Sequence, residues 1–103
     1  MANPVEITAQ NTWTDVFTSR AGAITGVIDV MIEDDLANGT TVLVQRREVG
    51  QSTWYTIATV DAATEDKHML LDFVGEWDFR VGVPTGGFSA GDSPRVGLRF
   101  GVK

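Results

Sequence analysis

The chain contains no cysteine. Disulfides, thiolate metal sites and cysteine nucleophiles are excluded together, and the absence fits a reducing compartment. Histidine is almost as scarce: His68 is alone among 103 residues. A single imidazole, with no thiolate or second imidazole to join it, leaves no transition-metal site of the usual composition, and no metal or other cofactor is expected. No apolar run approaches the ~20 residues of a membrane-spanning helix. The opening Met1-Ala2-Asn3-Pro4-Val5-Glu6 lacks the basic start and apolar stretch of a signal peptide. The expectation is a soluble protein finished in the cytoplasm, with no membrane contact. Positive charge is also short, with 8 Lys and Arg against 14 Asp and Glu and a net charge of −6. A chain this acidic is repelled by phosphate backbones, so nucleic acid is not an expected partner. Finally, no window sustains a capped amphipathic helix.

What the sequence does have is a period of two. In "AITGVIDVMIE", Ile24, Gly26, Ile28, Val30 and Ile32 fall on one face and Thr25, Val27, Asp29, Met31 and Glu33 on the other. A half-buried strand requires this alternation, because successive side chains leave a sheet on opposite sides. Turn residues follow at Asp34, Asp35, Asn38 and Gly39, and Thr41 to Val60 then reads as a hairpin closed by "GQS". "KHMLLDF" directs Met69, Leu71 and Phe73 to one side, and "EWDFRVGV" directs Trp77, Phe79, Val81 and Val83 inward. "RVGLRFGV" does the same with Val96, Leu98, Phe100 and Val102. "PVEIT" and "TWTDVF" are short edge pieces, with residues 1–10 forming either an extended N-terminal arm or an edge strand. An arm of that kind would add to a neighbour's sheet and be removable without unfolding the domain. With 43% apolar and 21% charged residues, the chain suits one domain, residues 1–103. About seven or eight short strands with turn signals between them predict an all-β antiparallel sandwich.

Candidate sites are few. "PTGGFSAGDSP" (84–94) is glycine-rich, and backbone N–H groups in such loops can hold phosphate. It lacks the lysine and following helix of a phosphate loop, so a connection between two antiparallel strands explains its glycines. Phe88 at its tip would touch a neighbour or fold back onto the core. The acidic runs Glu33-Asp34-Asp35 and Asp61 to Asp66 lack calcium-loop spacing and read as solvated turn charge. Neither His68 nor any serine sits in a nucleophile signature, so no catalytic residues are assigned. Of Trp54 and Tyr55, one must point away from the interior, where an aromatic can stack on sugar or anchor a protein interface. Arg80, Arg95 and Arg99 share the outward register of the final two strands. Paired, those strands would present a basic strip, either laddered with Glu76 and Asp78 or facing another subunit.

The segment "VLVQRREVGQSTWYTIATVDAATEDKHMLLDFVGEWDFRVGV" resembles the central part of small immunoglobulin-like or fibronectin-type-III-like sandwiches, through Trp54, Ile57, Gly75, Trp77, Phe79 and Arg80. Trp77 stands where those folds often place a corner tyrosine, so the resemblance implies a missing or altered corner hydrogen bond. "FRVGVPTGGFSAGDSPRVGLR" is similar to small structural proteins of tailed-bacteriophage virions, namely capsid decoration (cement) and head or tail accessory proteins. The resemblance spans roughly residues 41–100. It implies a non-enzymatic virion protein, made in the host cytoplasm, that binds the major capsid or other virion proteins or assembles in repeated copies. Val5, Ile7, Trp13, Trp54, Tyr55, Phe88, Arg80, Arg95 and Arg99 are then the interface candidates. The alternative is a binding module for carbohydrate or a cell-surface ligand, with Trp54, Tyr55 and Phe88 as its platform.

Overall fold

A computed structural model describes residues 2–18, 25–65 and 67–100. Ile24 and Val102, assigned above to the inner face, and Asp66 of the acidic run lie outside the described residues. The described chain is built from antiparallel strands: β1 (Ala2–Glu6), β2 (Thr12–Trp13), β3 (Phe17–Thr18), β4 (Thr25–Glu33), β5 (Val42–Glu48), β6 (Tyr55–Val60), β7 (Met69–Val74), β8 (Trp77–Val83) and β9 (Arg95–Phe100). One sheet has the order β1-β9-β4-β7; the other has β2-β8-β5-β6, with β3 also paired to β8. The molecule is the all-β antiparallel sandwich that the alternation predicts.

The core is what the period of two encodes. Ile28, Val30 and Ile32 of β4 meet Val81, Val83 and Phe79 of β8, all at most 2% exposed. Each such side chain contributes about 1.5–3 kcal/mol relative to exposure. Gly26 holds an inner-face position opposite Phe73 in the β4–β7 register. A Cβ there would lie 2.5 Å from Phe73 Cζ, so the missing side chain makes room for the ring. Phe73 in turn tilts against Phe79 across the sandwich, with centroids 5.4 Å apart.

The partner of the last strand differs from the sequence expectation. β8 and β9 do not pair. β9 inserts between β1 and β4 in the opposite sheet, so the connection 84–94 crosses from one sheet to the other. Alternation tells a strand which side faces in; it does not say which sheet the strand joins. Successive strands therefore interleave between the layers, and this interleaving is the double Greek key of a jelly roll. The basic strip dissolves with it. Arg80 lies on the outer face of β8, and Arg95 and Arg99 on the opposite sheet.

Residues 2–6 are an edge strand, paired with β9 from Ala2↔Leu98 to Glu6↔Arg95. Ile7 is completely buried in the core, and its N–H donates to Pro94 O at 2.8 Å. A removable arm is incompatible with that burial. β2 and β3 form the other interrupted edge, bridged by Thr14: its N–H donates to Val81 O, and its hydroxyl accepts from Val81 N–H. At the β7–β8 corner the Trp77 indole N–H donates to Val74 O at 2.7 Å. An indole thus supplies the backbone bond that a corner tyrosine would otherwise make.

Candidate interaction surface

The glycine-rich loop 84–94 is stitched to the β4–β5 connection. Thr41 N–H donates to Gly87 O, Ser89 N–H to the Thr40 hydroxyl, and Ser93 N–H to Asp34 Oδ2. At the centre is buried Asp92, whose Oδ1 accepts from the backbone and side-chain nitrogens of Asn38 and whose Oδ2 accepts from Thr40 N–H. Asp34 is also half-buried, accepting from Leu36 N–H at 2.8 Å. The acidic turn is therefore a structural staple more than solvated charge. Asp34, Asp35 and Asp92 bring carboxylate oxygens within 4.8 Å of one another, but each carboxylate is already an acceptor inside these loops.

Burial alone would raise the Asp92 pKa. The hydrogen bonds from Thr40 and Asn38 outweigh it and hold the carboxyl at about 2, against an ordinary 3.8. Because the folded value is depressed, its stabilising contribution is complete above the unfolded pKa, near 3.9, and disappears as pH falls toward 2. An Asp92→Asn chain should melt several degrees below wild type at pH 7, since the amide turns a donor toward Thr40 N–H. Thermal scans should show the two chains converging between about pH 4 and pH 2. A constant gap across that window would show that the carboxylate charge does not matter.

The outer face of the five-stranded sheet is covered by its own aromatics and arginines. Gly82 lies opposite Trp13. A Cβ on Gly82 would overlap the Thr12 carbonyl oxygen and approach Trp13 Cα to 2.7 Å, so only glycine lets the edge close down here. Trp13 then reaches Arg80, whose Cζ lies 3.8 Å from the Trp13 ring centroid and 4.3 Å from that of Trp54. Arg80 Nε and Nη2 both donate to Gln45 Oε1, and Gln45 Nε2 donates to the Thr56 hydroxyl. Arg47 stacks on Trp54 at 4.5 Å and pairs with buried Asp78 at 3.0 Å. The second Asp78 oxygen accepts from the Thr18 hydroxyl. Arg46 lies 4.1 Å over Trp77. Burial, then the neighbouring Arg47 charge, lowers the Arg80 pKa, yet a guanidinium stays protonated across the physiological range. Cation–π contacts of this kind contribute about 0.5–2 kcal/mol each. The face is a self-satisfied ladder of indoles and guanidiniums.

The interface candidates are scattered by this arrangement. Val5 is half-buried against the core and Ile7 is wholly inside it. Phe88 folds back onto the core. Trp13, Trp54 and Arg80 are engaged with one another, while Tyr55 is 58% exposed. Arg95 lies opposite Glu6 on one side and Glu33 on the other, and Arg99 bonds Asp29 at 2.7 Å. Trp54, Tyr55 and Phe88 form no common platform. Tyr55 sits opposite Arg46, whereas the loop carrying Phe88 is tied to Thr41, five residues or about 16 Å away along β5.

The exposed apolar surface that the sequence reading passed over is on β7. Leu70 and Val74 are 62% and 67% exposed, the most exposed large apolar side chains among the described residues. Both point outward from a strand whose one partner among the described residues is β4. The signal was present in "HMLLDFV": positions 70 and 74 are apolar where alternation calls for polar residues. A shallow depression of about 580 Å³, lined by Asp29, His68, Met69 and Leu70, opens beside the start of the strand. Comparison with known proteins returns no matching family model, no matching curated protein and no matching solved structure.

Proposed function

We propose that this chain is a non-enzymatic structural protein of a tailed-phage virion, a capsid decoration or accessory subunit acting through protein–protein contact. The observation that carries the reading is the β7 edge. A rigid sandwich presents Leu70 and Val74 to solvent on an edge strand, a position that soluble domains normally protect with charge, proline or a covering segment. Exposed apolar groups at such an edge mark a surface that another protein covers. Jelly rolls also occur in viral capsid proteins, lectins and cupins, so the fold is compatible with this role without selecting it. The glycan alternative loses support because its three aromatics are dispersed.

The test is cosedimentation with unexpanded and expanded capsids assembled from the major capsid protein encoded beside this chain, with the chain's oligomeric state measured in parallel. Saturable binding at a fixed number of copies per capsomer is expected. Binding to polysaccharide with no binding to either capsid form would overturn the reading.

A further inference from the structure

We propose that β7 is a strand-addition edge for an extended segment of a partner protein in which two apolar residues flank a lysine or arginine at alternate positions. The inference rests on the assembly role proposed above and names its mechanism. An edge strand leaves alternate N–H and C=O groups pointing away from its single neighbour, ready to bond another extended chain. The outward side chains of β7 add a readable code: Leu70, Asp72 and Val74, with both apolar members strongly exposed and Asp72 exposed between them. A strand laid antiparallel against this edge places its own side chains opposite these three. Favourable cross-strand pairing calls for apolar groups facing Leu70 and Val74 and a cation facing Asp72. The depression beside Leu70 leaves room for the first apolar group to be large. The net charge of −6 on the whole chain favours a basic segment further.

A second copy of this chain satisfies the code poorly. Two-fold antiparallel pairing centred on Asp72 sets Leu70 opposite Val74 but Asp72 against Asp72, and like charges directly opposite are destabilising. A centre at Leu71 places Leu70 opposite Asp72, and a centre at Phe73 places Val74 opposite Asp72. A centre at Leu70 relieves the charge by facing Asp72 with His68, but it carries Val74 beyond the end of the other copy's strand. Each register wastes an apolar side chain or opposes two carboxylates. A different chain with a cation at the middle position does neither.

The test uses the whole protein and a capped heptapeptide, Thr-Val-Thr-Lys-Thr-Val-Thr, with a second peptide carrying Glu in place of Lys. Affinities are measured by titration calorimetry and amide exchange by NMR. The lysine peptide should bind saturably and slow exchange along β7, and the glutamate peptide should bind about tenfold more weakly. An Asp72→Lys chain, checked for its fold by circular dichroism, should reverse that preference, and Leu70→Asp should abolish binding of both. Absent binding, or equal affinity for the two peptides, overturns the proposal. So do wild-type dimers that Leu70→Asp dissolves, which would make a second copy the occupant. Capsid binding that persists when neither peptide binds would remove strand addition and leave the virion role standing.

Discussion

A Gly82→Val chain should lose about 3 kcal/mol or more of its folding free energy, from the ~5–15 kcal/mol typical of a domain. The reason is local and hard. Any Cβ at this position would run into the Thr12 carbonyl and the Trp13 backbone, and neither is the yielding tip of a flexible side chain. The edge must lift off β8, and three losses follow together. The Thr12↔Val83 and Trp13↔Gly82 pairings open, Trp13 leaves the Arg80 guanidinium, and buried Thr14 is pulled from its two bonds with Val81. Urea titration followed by tryptophan fluorescence would register the change twice, as a lower midpoint and as a red-shifted native spectrum from a more exposed Trp13. An unchanged midpoint would mean that the edge does not approach β8 as closely as described.

The second large effect concerns Ile7. Replacing a completely buried isoleucine with alanine removes apolar contact and leaves a cavity, at a cost of about 2–5 kcal/mol. Ile7→Ala should therefore be among the most damaging single truncations, although it lies in a segment whose sequence resembles a dispensable tail. Deleting residues 2–10 should go further and leave no cooperative thermal transition, because β9 loses its outer partner and Ile7 vacates the core. A deletion that still melts cooperatively near the wild-type temperature would return the segment to the status of a removable arm.

These two residues mark what could be read from the sequence. Alternation located the long strands and the inner-facing residues of β4, β7, β8 and β9, because burial of one face dictates residue type at every second position. It also contained Leu70 and Val74, as violations of the pattern. It could not reveal that β9 leaves β8 for the far sheet, since a buried valine looks the same in either layer. The ladder of Trp13, Arg80, Trp54 and Arg47 was hidden for a related reason. Its members come from β2, β8, β5 and the segment before β6, and only the sheet order brings them together. Asp92 looked like an ordinary loop aspartate, and its role depends on Asn38 and Thr40, more than fifty residues earlier.

The interleaving of the sheets also fixes when the molecule can finish forming. Of the neighbouring strand pairs, β5 and β6 alone are consecutive in the chain, and β9 must slot between β1 and β4. A ribosome emitting this protein releases β1 first, and β1 finds its neighbour only when nearly the whole sequence has emerged. Until then the inner flank of β4 has no strand beside it, and the early segments wait as open backbone with apolar faces. Non-local pairing of this kind is slow and leaves such intermediates prone to aggregation. Closure is thus a post-synthetic event, completed by β9.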